Sequence, residues 1–193
     1  QIEKLAFYLS QQNYEVVVTR EPGATKIGRQ LRQILLESNY EFKSNLAEIL
    51  LFTVDRLEHL ETVVRPALAA GKIVLCDRYL DSTFAYQVGG GKVSREVFTV
   101  LAGLVKTKPD LTFLLDLDPR TGLERVRGRG VLNNFDQKEL VFHQAVRAKY
   151  LELAAQEPTR IKKIEAENFN IEQVFAKILK EVKMSKRIEG CDL

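Results

Sequence analysis

The sequence predicts an α/β protein built on a mostly parallel sheet with helices on both faces. Short runs rich in β-branched and apolar residues, "YEVVVTR", "KIVLCD", "DLTFLLDLD" and "IKKIEAE", recur along the chain. The segments between them are long enough to hold a helix, the pattern of strands joined by helical crossovers. Turn and stop signals such as "EPGA" and Gly71 punctuate the runs.

Each element follows from its local pattern. "QIEKLAFYLSQQ" is expected to be a helix with Ile2, Leu5, Ala6 and Leu9 on one face, and "YEVVVTR" a strand. After the "EPGA" turn, residues 27–36 continue as helix. "NLAEILLFTVDRLEHLETVVRPALAAG" supplies a long amphipathic helix that Pro66 bends and Gly71 ends. "KIVLCD" is the second strand, "SREVFTVLAGLVKT" a helix and "DLTFLLDLD" the third strand, with a further helix opening near "PRTGLERV". "RGRGVLNNF" interrupts the periodicity and "DQKELVFHQAVRAKYLELAAQ" resumes it. "IKKIEAE" and "NIEQVFAKILKEV" form a last strand and helix, and the final ten residues are expected to be loosely held.

The 193 residues suit one domain with a sizeable core. A net charge of +3, from 29 basic against 26 acidic residues, is too small to argue for nucleic-acid binding. Basic side chains gathered in a cleft still suit a phosphorylated small molecule. Cys76 and Cys191 have neither the density of a disulfide framework nor metal-site spacing, and Cys76 reads as a small buried hydrophobe. His59 and His143 cannot build a metal cluster from histidine alone, and His59 is given no catalytic role. With no signal peptide and no apolar run of spanning length, the expectation is a cytoplasmic protein with no membrane partner.

Ligands of open parallel sheets bind beyond the carboxyl ends of the strands. Two ends carry charge here: Arg20 with Glu21, and Asp77 with Arg78. Asp77 can hold a hydrated Mg²⁺ and Arg78 a phosphate, or the pair can be an internal bridge that orients a loop. Phe52 and Arg56 lie four residues apart on one helical face, so an aromatic plate and a cationic fork can meet one ligand. The alternative is a core phenylalanine beside an arginine that snorkels to solvent. In "GLERVRGRG", Arg125, Arg127 and Arg129 lie close to glycines, which suits either a lid closing over polyphosphate or a solvated basic loop.

The segments "TREPG" at 19–23, "LLFTVDR" at 50–56, "RPALAAGKIVLCDRYLDSTFAYQ" at 65–87, "PDLTFLLDLDP" at 109–119, "RVRGRG" at 125–130 and "RAKYLELA" at 147–154 resemble the bacterial thymidylate kinases. That family belongs among the P-loop nucleoside monophosphate kinases, and the resemblance runs from about residue 1 to 183. It implies a P-loop NTPase-like three-layer fold with a nominally five-stranded parallel sheet, usually as a homodimer. It also implies transfer of the γ-phosphoryl of ATP to dTMP with Mg²⁺. By resemblance, Arg56 and Arg78 bind the acceptor phosphate, Phe52 stacks on thymine, and Thr83 with Gln87 lines the base and sugar pocket. Tyr86 packs beside the deoxyribose and Glu21 lies near the sugar hydroxyl or metal waters. Arg127 and Arg129 belong, with Arg125, to a lid over 125–136, while Asp77 is the metal residue and 184–193 a tail. Arg78, Arg127 and Arg129 are the expected catalytic arginines.

The chain departs from that family in two places. No G-x-x-x-x-G-K-[ST] run occurs in it, so the backbone nest for ATP phosphates and the strand preceding it are expected to be missing, as in a chain truncated at its N-terminus. In the lid, Asn133, Asn134 and Phe135 stand where the family commonly carries an acidic residue and a further arginine. A kinase with a different acceptor and a noncatalytic dTMP-binding module are the competing readings.

Overall fold

A computed structural model describes residues 1–37, 40, 42–128 and 133–185. Helix α1 (Ile2–Gln11) leads into β1 (Val16–Arg20), and α2 (Lys26–Arg32) continues into a wider π-helical turn at Gln33–Glu37. α3 (Asn45–His59), a second π-helical turn (Leu60–Val64) and α4 (Arg65–Ala69) form one long rod ahead of β2 (Ile73–Asp77). α5 (Leu80–Thr83) widens into a third π-helical turn (Phe84–Val88), and α6 (Arg95–Ala102) precedes β3 (Thr112–Asp116). α7 (Pro119–Arg127), α8 (Leu140–Gln156), β4 (Ile161–Glu165) and α9 (Ile171–Met184) complete the order.

The strands are parallel, as the crossover pattern predicts, but the five-stranded sheet is not seen. Among the described residues β1 pairs with β2, in register from Val16 opposite Ile73 to Arg20 opposite Asp77. β3 pairs with β4, from Thr112 opposite Ile161 to Asp116 opposite Glu165. The expectation of one sheet is therefore corrected to two parallel pairs. Extended chain between the pairs is lacking among the described residues, so each pair keeps an outer ladder edge, and Ile73–Cys76 are only half-buried.

One apolar layer nevertheless serves both pairs. Leu5 and Leu9 of α1 pack with Val174, Ile178 and Val182 of α9 and Ile164 of β4. Val16, Ile73, Leu75 and Phe113 press on that core from β1, β2 and β3. On the opposite face Val74 and Tyr79 pack against Leu60, Val64 and Val105. Ile73 and Leu75 thus face one layer and Val74 the other, the alternation of a strand covered on both sides. Burying such a side chain contributes about 1.5–3 kcal/mol.

The long rod widens into its π-helical turn at Leu60–Val64, directly ahead of Pro66. Proline has no N–H, so Pro66 cannot donate to the carbonyl four residues back, and the preceding turn widens. The Arg65 N–H reaches back five residues to the Leu60 carbonyl. Gly71, at φ +74°, ends the rod in a left-handed conformation that glycine adopts without strain. α9 starts where the sequence indicates, with Asn170 and Gln173 exchanging side-chain to backbone hydrogen bonds in a capping box.

Candidate acceptor site

The carboxyl ends of β1 and β2 and the α5 turn enclose a cleft with a cavity of about 150 Å³, far more than one water needs. Glu21, Phe52, Arg56, Asp77 and Arg78 line it, with Thr83, Tyr86 and Gln87 completing the wall. Every acceptor-pocket residue expected from sequence is thus brought to one place. The π-helical turn explains how Thr83, Tyr86 and Gln87 converge. The Gly89 N–H bonds to the Phe84 carbonyl five residues back, which rotates successive side chains differently from an α-helix.

Arg56 is buried rather than snorkelling. Its Nε donates to Glu21 Oε2 at 2.7 Å and its Nη2 to Thr83 Oγ1 at 2.9 Å, while Tyr79 lies against the guanidinium with its ring centre 5.2 Å away. Glu21 also faces His59, whose Nδ1 lies 2.8 Å from Oε1, and His59 Nε2 lies 2.7 Å from Thr19 Oγ1. Asp55 accepts the Gly23 N–H at 3.1 Å. Burial pushes the Asp55 carboxyl up to about 6, with the Gly23 N–H opposing and the Glu21 charge reinforcing the rise.

Arg78 differs from Arg56. Its backbone adopts φ +65°, a strained state for a residue with a side chain, which turns the chain sharply between β2 and α5. Its guanidinium lies 5.1 Å from the Tyr86 ring centre and, among the described residues, in no salt bridge. Asp77 lies at the exposed end of β2, and among the described residues no group of three or more His, Cys, Asp or Glu is placed to hold a metal. Cys76 is half-buried rather than buried; its thiol donates to the Arg78 carbonyl at 3.0 Å, and burial pushes its pKa up, so it is an inert thiol.

Arg125 and Arg127 do not line the cleft. Arg125 donates from Nη2 to the Glu167 carbonyl at 2.9 Å, and Arg127 is exposed at the end of α7. Arg129 lies outside the described residues, as do 130–132 of the lid and 186–193 of the tail. The segment after them folds onto the cleft instead. The Asn134 N–H bonds to the Leu36 carbonyl, and Phe135 is buried among Phe52, Tyr86 and Phe142 at ring separations of 6.4, 5.3 and 6.2 Å.

Sequence reasoning missed Arg32, Phe135 and Asp136 as lining residues and Asp55, His59 and Glu48 as the layer beneath. The available signal was the adjacency "DRLEH", which sets Arg56 and His59 three residues apart on one helix face. Glu48 had no such signal; it accepts from Gln87 Nε2 at 3.1 Å across 39 residues.

A buried carboxylate holding an arginine, a second arginine without a salt bridge among the described residues and aromatic walls at parallel-strand ends are groups that suit a phosphorylated ligand with a flat ring. A family model described as thymidylate kinase matches residues 1–178. Thymidylate kinase of Desulforapulum autotrophicum is 44% identical over 188 residues, covering 93% of this chain and 82% of that protein. That of Exiguobacterium sibiricum is 39% identical over 184 residues, covering 94% and 86%. The crystal structure of thymidylate kinase from Ehrlichia chaffeensis superposes with a TM-score of 0.76 at 31% identity, covering 95% of this chain and 89% of that one. The chain belongs to the thymidylate kinase family.

Proposed function

We propose that this protein transfers the γ-phosphoryl of ATP to dTMP, forming dTDP and ADP. The observation that carries the reading is the pairing, in one cleft, of an arginine free of salt bridges among the described residues, Arg78, with the aromatic walls Phe52 and Tyr86. Family membership supports it. A dianionic phosphate is held best by a cation not already neutralised, so Arg78 is the main fork and Arg56 its buried neighbour. Phe52 stacks on the base, and Thr83, Tyr86 and Gln87 shape the base and sugar pocket. Glu21 acts near the sugar through the groups it holds.

An acceptor phosphate oxygen attacks the γ-phosphorus in line as the bond to the ADP oxygen breaks. That oxygen is already nucleophilic, so no residue is needed as a general base. Arg125, Arg127 and Arg129 are assigned to ATP as residues of the lid over 125–136, a role that requires Arg125 to leave the Glu167 carbonyl. Mg²⁺ fits a lone Asp77, because the ion keeps most of its waters and commonly takes only one or two carboxylates beside substrate phosphates. When bound it neutralises charge on the transferring group.

The working unit is residues 1–183, a single domain that holds both strand pairs. The shared α1 and α9 layer supports that arrangement. A stripe of exposed Leu46, Leu50 and Val54 at four-residue spacing on α3, near exposed Ile27 and Ile34, supports a homodimer. No helix among the described residues is long and apolar enough to cross a membrane. The cytoplasm is the proposed location, with neither nucleic acid nor membrane as a partner. Coupled detection of ADP with dTMP, dUMP or thymidine as acceptor tests the reaction. Preference for dTMP is expected. Preference for another acceptor would overturn the assignment.

A further inference from the structure

Below the cleft, four hydrogen bonds run in series through five side chains that are each at most 9% exposed: Thr19, His59, Glu21, Arg56 and Thr83. His59 is wholly buried and does not line the cleft. Its chemistry can reach a ligand only through its neighbours. A carboxylate has acceptors only, so the His59 Nδ1 facing Glu21 carries the hydrogen. Nε2 is then left for the Thr19 hydroxyl at the end of β1.

The two oxygens of Glu21 consequently have different partners, His59 on Oε1 and Arg56 on Oε2. Two anchors fix the plane of a carboxylate that one anchor would leave free to turn. The fixed plane holds the Nε edge of Arg56, and the Nη2 end reaches Thr83 on the cleft wall. We infer that His59 is a positioning residue for the acceptor, setting the Arg56 guanidinium through Glu21 without touching the ligand. This rests on the reading that the cleft takes dTMP.

The test is calorimetric titration of the full chain with dTMP and with thymidine, beside a melting curve for each variant. His59→Phe fills the space but removes both nitrogens, and is expected to weaken dTMP binding about tenfold or more, which is about 1.4 kcal/mol. His59→Asn puts an amide N–H where Nδ1 lies and should remain within about threefold of the unsubstituted chain. His59→Gln places its amide nearer Nε2 and should be weakened like the phenylalanine variant. In a Glu21→Gln background, His59→Phe should add little, because the two act in series.

Should His59→Phe fail to fold, the asparagine and glutamine variants carry the comparison. Unchanged dTMP affinity in both His59→Phe and His59→Gln overturns the inference, as does a loss in His59→Asn equal to theirs. Additive losses with Glu21→Gln also overturn it. If the unsubstituted chain binds no dTMP, the functional reading fails and the inference with it; if it binds dTMP but is indifferent to His59, only the inference fails.

Discussion

Glu21 Oε2 accepts a 2.7 Å hydrogen bond from Arg56 Nε, although the two residues stand 35 positions apart and are 4% and 3% exposed. A buried ion pair is costly to assemble and costlier to break, since the surviving charge stays out of water. Glu21→Ala should therefore destabilise the fold by about 3–5 kcal/mol. Glu21→Gln, which keeps a hydrogen-bond acceptor for Arg56, should cost less. Urea unfolding of both variants measures the difference, and equal losses would show that the charge of Glu21, not its acceptor geometry, is what holds Arg56.

Arg78 offers the opposite case, a guanidinium with an aromatic neighbour and, among the described residues, no salt bridge. Arg78→Ala should weaken dTMP binding by about 1.5–3 kcal/mol, the range for hydrogen bonds to a charged group, while thymidine binding changes little. Replacing a φ +65° arginine with alanine leaves the backbone demand in place, so the fold itself should change only slightly. Equal losses for both ligands by calorimetry would remove Arg78 from the phosphate.

The strands and most helices were legible because each is specified locally, by β-branched runs and by spacing such as Leu5 and Leu9 on one face. The widened turn at Leu60–Val64 goes with Pro66, which lacks the N–H that would bond to the carbonyl four residues back. The acceptor residues were readable in "DRYLDSTFAYQ". Their support was not: Glu21 to His59, Gln87 to Glu48 and Gly23 to Asp55 join residues more than 30 apart with no periodicity to mark them. A lone histidine in an apolar helix has the same sequence signature whether it merely fills the core or holds a carboxylate. Arg125, expected over ATP, is drawn to the Glu167 carbonyl after β4, a contact that depends on tertiary folding.

Gly28 yields a prediction whose sign runs against helix propensity. In an ordinary helix, alanine for glycine gains about 1 kcal/mol. Here a Cβ would lie 2.5 Å from Asp55 Oδ1 and 2.9 Å from Thr25 Oγ1, which caps α2 by accepting the Gly28 N–H. Both neighbours are buried. Gly28→Ala should destabilise by about 1–3 kcal/mol, the usual penalty for overpacking, and loosen the Gly23 turn beside Glu21. A rise in melting temperature would show that Asp55 moves aside freely.

Asp55 should make stability fall with rising pH. Its carboxyl titrates near 3.8 when unperturbed and at about 6 in the fold, with burial the main cause. Between those values the folded state holds a proton that the unfolded chain has released, so deprotonation favours unfolding. The contribution is fully present below about pH 4, is lost as pH rises to about 6, and is flat above that. The two values bound the loss at about 3 kcal/mol. Asp55→Asn cannot ionise and keeps an acceptor for the Gly23 N–H. Other titrating groups are common to both proteins and largely cancel in the difference between them. Urea unfolding between about pH 4 and 7 should therefore show the asparagine variant gaining on the unsubstituted chain up to about pH 6 and then holding its lead. A difference independent of pH would mean that Asp55 is already charged in the fold throughout this range.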